Sequence, residues 1–209
     1  GPHSAYLSGA IDHRGEEVRP LSESEVDEAI VKLKKEGISS VGIVTKFSHR
    51  NNKHELQIYE RLKGKFDYFS LGHQLSGVPN FPRRVYTTWL NSALKSVFNH
   101  FYSAMKEGLD DLGINCPVYM LKADGGTLPF NMCGEQPCQS VHSGPSASVL
   151  GAVALVSEMD QDTVLLDVGG TTTDISLFAD VLPLLEPYGI TVRGRQTLIR
   201  ALHTKRDGV

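Results

Sequence analysis

The chain has 209 residues, 40% of them hydrophobic, and a formal charge of -3. That length allows one good core or two small domains, and the charge offers no electrostatic case for binding nucleic acid or an anionic membrane. No apolar run reaches a membrane-spanning length and the N-terminus lacks a signal-type hydrophobic segment, so the cytoplasm is the expected location.

Gly1 to Pro20 reads as a leading segment with little periodicity, with a short turn and edge strand over Arg14–Val18. Ser22-Glu23-Ser24-Glu25 has the form of a capping box, and Val26, Ile30 and Leu33 then set an apolar stripe on a charged helix that stops at Gly37. Ile38 to Thr45 reads as a buried strand. Lys53-His54-Glu55 begins a second helix, with Leu56, Tyr59 and Leu62 as its apolar positions. His49 and His54 lack the spacing that sets two imidazoles on one helix face, so the plain reading is a loop histidine and a helix-start His-Glu pair whose acid suits the dipole.

Phe66 to Leu71 is a further strand, and His73 in the loop after it, a single imidazole with no identifiable partner, reads as solvated while staying a candidate to face a ligand. From Arg83 to about Gly113 the pattern is one long helix, in which Val85, Trp89, Ala93, Val97, Phe98, Phe101, Met105, Leu109 and Leu112 form the expected buried stripe. Arg83, Arg84, Thr87 and Thr88 include an Arg-x-x-Thr pattern at its start, with a helix N-terminal solvent face as the plain reading. Pro117 to Leu121 is a short strand ending in Lys122-Ala123-Asp124-Gly125-Gly126-Thr127. By itself this is an Asp-Gly turn, although a carboxylate and two glycines beyond a strand end also suit a ligand crevice. Cys116, Cys133 and Cys138 are odd in number, and the four-residue spacer between the last two favours reduced structural thiols over a redox or metal pair. Leu128 to Val141 reads as an irregular excursion.

Ser143-Gly144-Pro145 opens a helix of small residues, with Ser143 as the expected cap. After a turn from Met159 to Thr163 comes the most informative stretch, Leu165-Leu166-Asp167-Val168-Gly169-Gly170-Thr171-Thr172-Thr173-Asp174-Ile175-Ser176-Leu177. It predicts a β-hairpin with a polar tip, in which adjacent glycines adopt positive φ and bring backbone N–H groups close to a ligand. Amides beside threonine hydroxyls suit phosphate. Asp167 and Asp174 would repel it, so a chemical role for them implies a hydrated divalent cation or an oriented water. A last alternating strand is expected over Leu198–Leu202.

The Asp167–Asp174 motif resembles the second phosphate loop of the actin, sugar-kinase and chaperone ATPase superfamily, and Ser143–Ala152 is similar to its connecting helix. Together with Asp124-Gly125-Gly126-Thr127, these motifs resemble the hydantoinase A and 5-oxoprolinase family. The resemblance implies an α/β, ribonuclease-H-like (actin-like ATPase) fold with a mixed sheet, in an incomplete fragment of a two-lobed protein. It divides the chain into a leading segment (1–20), an α/β domain (21–142) and the start of the second ATPase lobe (143–209). It implies ATP and Mg as cofactors, with Gly169, Gly170, Thr171 and Thr172 on the phosphates and Asp124, Gly125, Gly126, Ser143 and Gly144 bordering the nucleotide. Asp167 would orient water or hydrated Mg, and Asp174 would join that network or position the loop.

The implied reaction is ATP-dependent opening of a cyclic amide or imide of hydantoin or 5-oxoproline type. A small-molecule kinase, a ketone carboxylase subunit and a non-catalytic nucleotide module are the alternatives. A second hydantoinase subunit and self-association stay open as partners. The superfamily's first phosphate loop and adenosine segment are expected outside this stretch, so the fragment is expected to hold only part of an ATP site.

Overall fold

The computed structural model describes residues 3–156, 161–180 and 182–208. The chain divides into two units, Gly1–Glu107 and Gly108–Val209.

In the first unit β1 (Ala10–Ile11) and β2 (Glu17–Arg19) form a short antiparallel hairpin. Ser22 then caps α1 (Glu23–Lys35) by accepting the Glu25 N–H at 3.4 Å. The expected reciprocal half of the capping box does not form, because a Glu25 carboxylate oxygen accepts Ser8 N–H at 2.7 Å instead. The helix ends in three basic residues and Gly37 at φ +67°, as its dipole and C-terminal geometry favour. Next come β3 (Ser40–Ile43), α2 (Lys53–Leu62) and β4 (Tyr68–Leu71), followed by the single turn α3 (Gly72–Leu75). β3 and β4 pair in parallel, from Ser40↔Tyr68 to Ile43↔Leu71, with α2 as the crossover. Val26, Ile30 and Leu33 of α1 close on Val41, Ile43, Ile58 and Leu71, each such side chain contributing about 1.5–3 kcal/mol on burial.

Two expectations fail here. In α2 the inward face is His54, Glu55, Ile58 and Leu62, whereas Leu56 is exposed. In α4 (Phe81–Asp111) the buried positions are Arg84, Thr87, Thr88, Leu90, Asn91, Ser92 and Lys95, while Trp89, Val97, Phe101 and Met105 are exposed. The surface that α4 meets explains the inversion, because it is small and polar. Ser40 Oγ donates to the Ser92 carbonyl at 2.7 Å, Asn91 Nδ2 donates to Ser70 Oγ at 2.9 Å, and a Cβ on Gly42 would lie 3.0 Å from Ser92 Oγ.

In the second unit β5 (Tyr119–Leu121) and β6 (Thr127–Pro129) form an antiparallel hairpin, and two 3-10 turns lead to α5 (Ser143–Leu155). Cys133 and Cys138 are buried and unbonded to each other, and burial raises the Cys133 thiol above its ordinary value. Met159 and Asp160, part of the expected turn, lie outside the described residues. β7 (Thr163–Val168) and β8 (Thr172–Ala179) make the expected antiparallel hairpin, and β9 (Leu182–Pro183) pairs with β8. β10 (Thr191–Val192) and β11 (Arg195–Gln196) form a small hairpin, and β12 (Thr204–Gly208) closes the sheet in the order β12-β8-β7.

The last strand therefore starts after the predicted Leu198–Leu202 run. That run is instead irregular chain, with Ile199, Ala201 and Leu202 buried and hydrogen bonds to several neighbours: the Ile199 carbonyl accepts from Ile190, the Ala201 carbonyl accepts from Glu186, and the Leu202 N–H donates to Ala123. Parallel and antiparallel pairing are both present, as an α/β fold with mixed pairing requires, but in separate sheets.

A Cβ added at Gly72 would sit 2.8 Å from Val44 Cγ2 and 3.1 Å from Glu55 Oε1, whereas one at Gly77 would meet nothing within 4 Å. Gly72→Ala is therefore expected to lower stability by about 1–3 kcal/mol in urea unfolding, while Gly77→Ala changes it by less than about 0.5 kcal/mol. Equal effects would mean that Gly72 is not closely packed.

Candidate functional site

In the β7–β8 hairpin the register sets Asp167 opposite Asp174 and Leu165 opposite Ser176. The period of two places Leu165, Asp167, Asp174, Ser176 and Phe178 on one face. α5 packs on that face, where Val149 joins Phe178, with Leu150 and Leu165 against them. Val164, Leu166 and Val168 on the opposite face are exposed.

The strands are joined through Gly169-Gly170-Thr171, and the Gly169 N–H donates to the Thr172 carbonyl at 2.9 Å to close the turn. Neither glycine takes the positive φ expected from the sequence. Gly170 stands in open space, where a Cβ would meet nothing within 4 Å. The tip is exposed from Val168 to Thr171, and among the described residues no backbone partner meets the N–H of Gly170 or Thr171. Two free amides beside the Thr171 hydroxyl form a donor group that fits phosphate oxygens.

The two acids differ. Arg206 clamps Asp174 through Nε and Nη2, both at 2.7 Å, and holds its carboxyl below the usual value. Asp167 accepts a hydrogen bond from Ser148 Oγ at 2.6 Å on Oδ2, and its Oδ1 meets no described residue. A carboxylate with one free oxygen beside open amides can accept from the water shell of a hard cation. Among the described residues no group of three or more His, Cys, Asp and Glu could hold a metal directly.

α5 brings the third motif in. The helix is capped by His142 at φ +68°, without a side-chain bond, and Ser143 is its first residue, not the expected cap. One turn on, Ser146 Oγ donates to the Ala123 carbonyl in a short hydrogen bond. Asp124, Gly125 and Gly126 form the tip of the β5–β6 hairpin: Gly125 stands at φ +82°, Asp124 accepts Gly126 N–H at 3.0 Å, and Lys122 Nζ lies 3.0 Å from Asp124. The geometry there is the plain Asp-Gly turn, not a crevice beyond parallel strands. Ser146 ties that turn to α5 and Ser148 ties α5 to Asp167, so one helix joins all three motifs, with Ser143 and the exposed Gly144 at its start.

A second group lies in the first unit, among residues to which the sequence gives plain roles one by one without bringing them together. Glu55 stands in the first turn of α2 as expected, but it is fully buried and accepts from Thr45 N (2.8 Å), His73 N (2.9 Å) and His73 Nδ1 (2.7 Å). Arg84, expected on a solvent face, is 1% exposed, with Nη2 donating to Ser48 Oγ and lying 3.5 Å from Glu55. His73 is therefore partnered. His54 is also buried, its Nε2 2.7 Å from Glu17. The usable signal was the spacing of Arg84, Thr88, Asn91 and Lys95, a polar stripe at helical period.

The family models for Hydantoinase/oxoprolinase and Hydantoinase/oxoprolinase N-terminal region match residues 84–206 and 3–66. Caprolactamase subunit alpha of Pseudomonas jessenii is 25% identical over 82% of this chain and 25% of its own length. 5-oxoprolinase 1 of Arabidopsis thaliana is 26% identical over 85% of this chain and 14% of its own length. A nucleotide-free acetone carboxylase structure, from work on ATP-dependent acetone carboxylation, shares the fold with a TM-score of 0.80 at 18% identity, over 97% of this chain and 29% of that one. The chain thus spans about a quarter or less of the curated relatives it matches. With an α/β fold of the actin-like ATPase type and the first of these family models covering more than half of it, the chain belongs to the hydantoinase/oxoprolinase family.

Proposed function

We propose that the β7–β8 tip holds phosphates of ATP, and that the protein carrying this chain uses ATP to open a cyclic amide or imide of hydantoin or 5-oxoproline type. The observation that carries the reading is the exposed tip, with the Gly170 and Thr171 amides unpaired beside a carboxylate that keeps one free oxygen. ATP would supply the phosphoryl group that turns a ring oxygen into a leaving group. Gly169, Gly170, Thr171 and Thr172 surround the phosphate position with amides and hydroxyls, and catalysis there is positioning and charge stabilisation. Asp167 orients a water, in bulk or on hydrated Mg, with Ser148 fixing its other oxygen. Asp174, held by Arg206, is a positioning residue for the tip. Asp124, Gly125, Gly126, Ser143 and Gly144 border the nucleotide.

Residues 143–209 begin the second ATPase lobe of that protein, and residues 21–142 belong to its α/β domain. A second subunit is proposed from the subunit naming of the caprolactamase relative. We place the protein in the cytoplasm; no helix among the described residues is long and apolar enough to cross a membrane.

In the full-length protein, ADP release is expected to depend on hydantoin, 5-oxoproline or a lactam. Dependence on bicarbonate and a ketone would move the reading to carboxylation. Asp167→Asn should cut coupled turnover about 100-fold or more, and wild-type rates would remove the assigned role.

The Arg206 clamp has its own test. Asp174 has a folded pKa below its ordinary 3.8, so its contribution to stability is full above that value and is lost as pH falls through the folded one. Arg206→Gln should lower the urea midpoint at pH 6, and the gap from wild type should close toward pH 2.5. A gap independent of pH would show that the ion pair is not its source.

A further inference from the structure

β3 and β4 run parallel, so their carboxyl ends meet at one edge of the first unit, and beyond such edges α/β proteins bind ligands. Thr45, Ser48 and His49 come from the segment after β3, His73 from α3 directly after β4, Glu55 from the first turn of α2, and Arg84 from α4. Glu55 holds the His73 ring through Nδ1 at 2.7 Å, which fixes its orientation and leaves Nε2 on the far side of the ring. Among the described residues nothing bonds Nε2, and the side chain keeps 15% of its surface exposed.

Four buried side-chain polar atoms in the described residues lack a hydrogen-bond partner: Thr45 Oγ1, His49 Nδ1, Arg84 Nε and Ser92 Oγ. Three of them belong to this one group. An unsatisfied buried polar atom costs about 1–3 kcal/mol, and a buried ion pair such as Glu55–Arg84 is no more stabilising than apolar packing. The segment bearing two of the three also holds Phe47 at φ +63°, a strained conformation for a bulky residue.

The donors define the ligand. The Arg84 charge is met by Glu55, and its Nη atoms are directed at Thr45 O and Ser48 Oγ, leaving Nε–H free. Burial, with Arg84 and Arg50 nearby, lowers the His49 pKa and favours its neutral form. One N–H and one hydroxyl, beside the neutral imidazole of His49, suit a planar carbonyl or carboxylate better than a phosphate dianion, which calls for surplus cationic donors.

We propose that this edge binds the carbonyl or carboxylate oxygens of a small acyl molecule, with Arg84 Nε–H and Thr45 Oγ1–H donating to them. His73, oriented by Glu55, presents Nε2 to the same molecule. Only the substrate class rests on the cyclic-amide reading.

The test uses the 209-residue chain with 15N-labelled histidine and no nucleotide, so a failure of ATP coupling in the full-length protein is a separate result. Ring 15N signals are followed while acetate, 2-pyrrolidone or inorganic phosphate is added at constant ionic strength. Saturable shifts of His49 and His73 with acetate or 2-pyrrolidone are expected, while His203, paired with Glu186 in the other unit, stays still. Arg84→Lys should weaken the response at least tenfold. Thr45→Val covers the case in which that variant does not fold: the hydroxyl has no partner to lose, so folding should be unaffected while affinity falls severalfold. Absence of saturable shifts, a response unchanged in Thr45→Val, or a response to phosphate alone would overturn the proposal.

Discussion

Two serine hydroxyls two residues apart on α5 hold the second unit's candidate site together. Ser146 reaches back to the Ala123 carbonyl and Ser148 reaches out to Asp167. A helix can serve both only if it lies close to both, and α5 does so with Ser146 and Val149 as its buried residues. Leu150 packs toward the same turn, since a Cβ at Gly125 would lie 3.4 Å from its side chain. The Asp124 turn, the helix start and the hairpin tip are thus parts of one rigid arrangement, although some forty residues of sequence separate the first from the last.

The first unit depends on a different device. α4 docks through a stripe of Arg84, Thr87, Thr88, Asn91 and Lys95 instead of its aromatic residues. Helical periodicity shows that a stripe exists but not which stripe faces inward, because that is decided by the opposing surface. Here that surface is Ser40, Gly42 and Ser70, whose small size permits close approach and whose hydroxyls need partners. A propensity-based reading assigns Trp89 and Phe101 to the core for lack of any knowledge of that surface.

The same reasoning separates what was legible from what was not. α1, the β3-α2-β4 unit and the β7–β8 hairpin follow from local signals: a capping serine, an apolar period and a glycine turn between alternating strands. The burial of Glu55 and the partner of His73 depend on residues brought from 18 and 29 positions away by the crossover, and no local pattern encodes that meeting. Nor does any encode β12. Thr204–Gly208 is polar and charged, and it is a strand because β8 offers it an edge, whereas the more hydrophobic Leu198–Leu202 run is taken up by scattered hydrogen bonds.

β12 also resolves a conflict written into the hairpin. Like charges directly opposite one another in an antiparallel pair repel, and Asp167↔Asp174 is such a pair. Pairing Arg206 with Asp174 on the adjacent strand neutralises one member through a two-pronged contact and leaves the other with a hydroxyl and a free oxygen. Two chemically identical side chains at one level of the sheet thereby acquire different surroundings: Asp174 is anchored by Arg206, and Asp167 keeps lone pairs open to water. The distinction does not come from the motif, in which the two acids look equivalent; it comes from a strand thirty residues downstream.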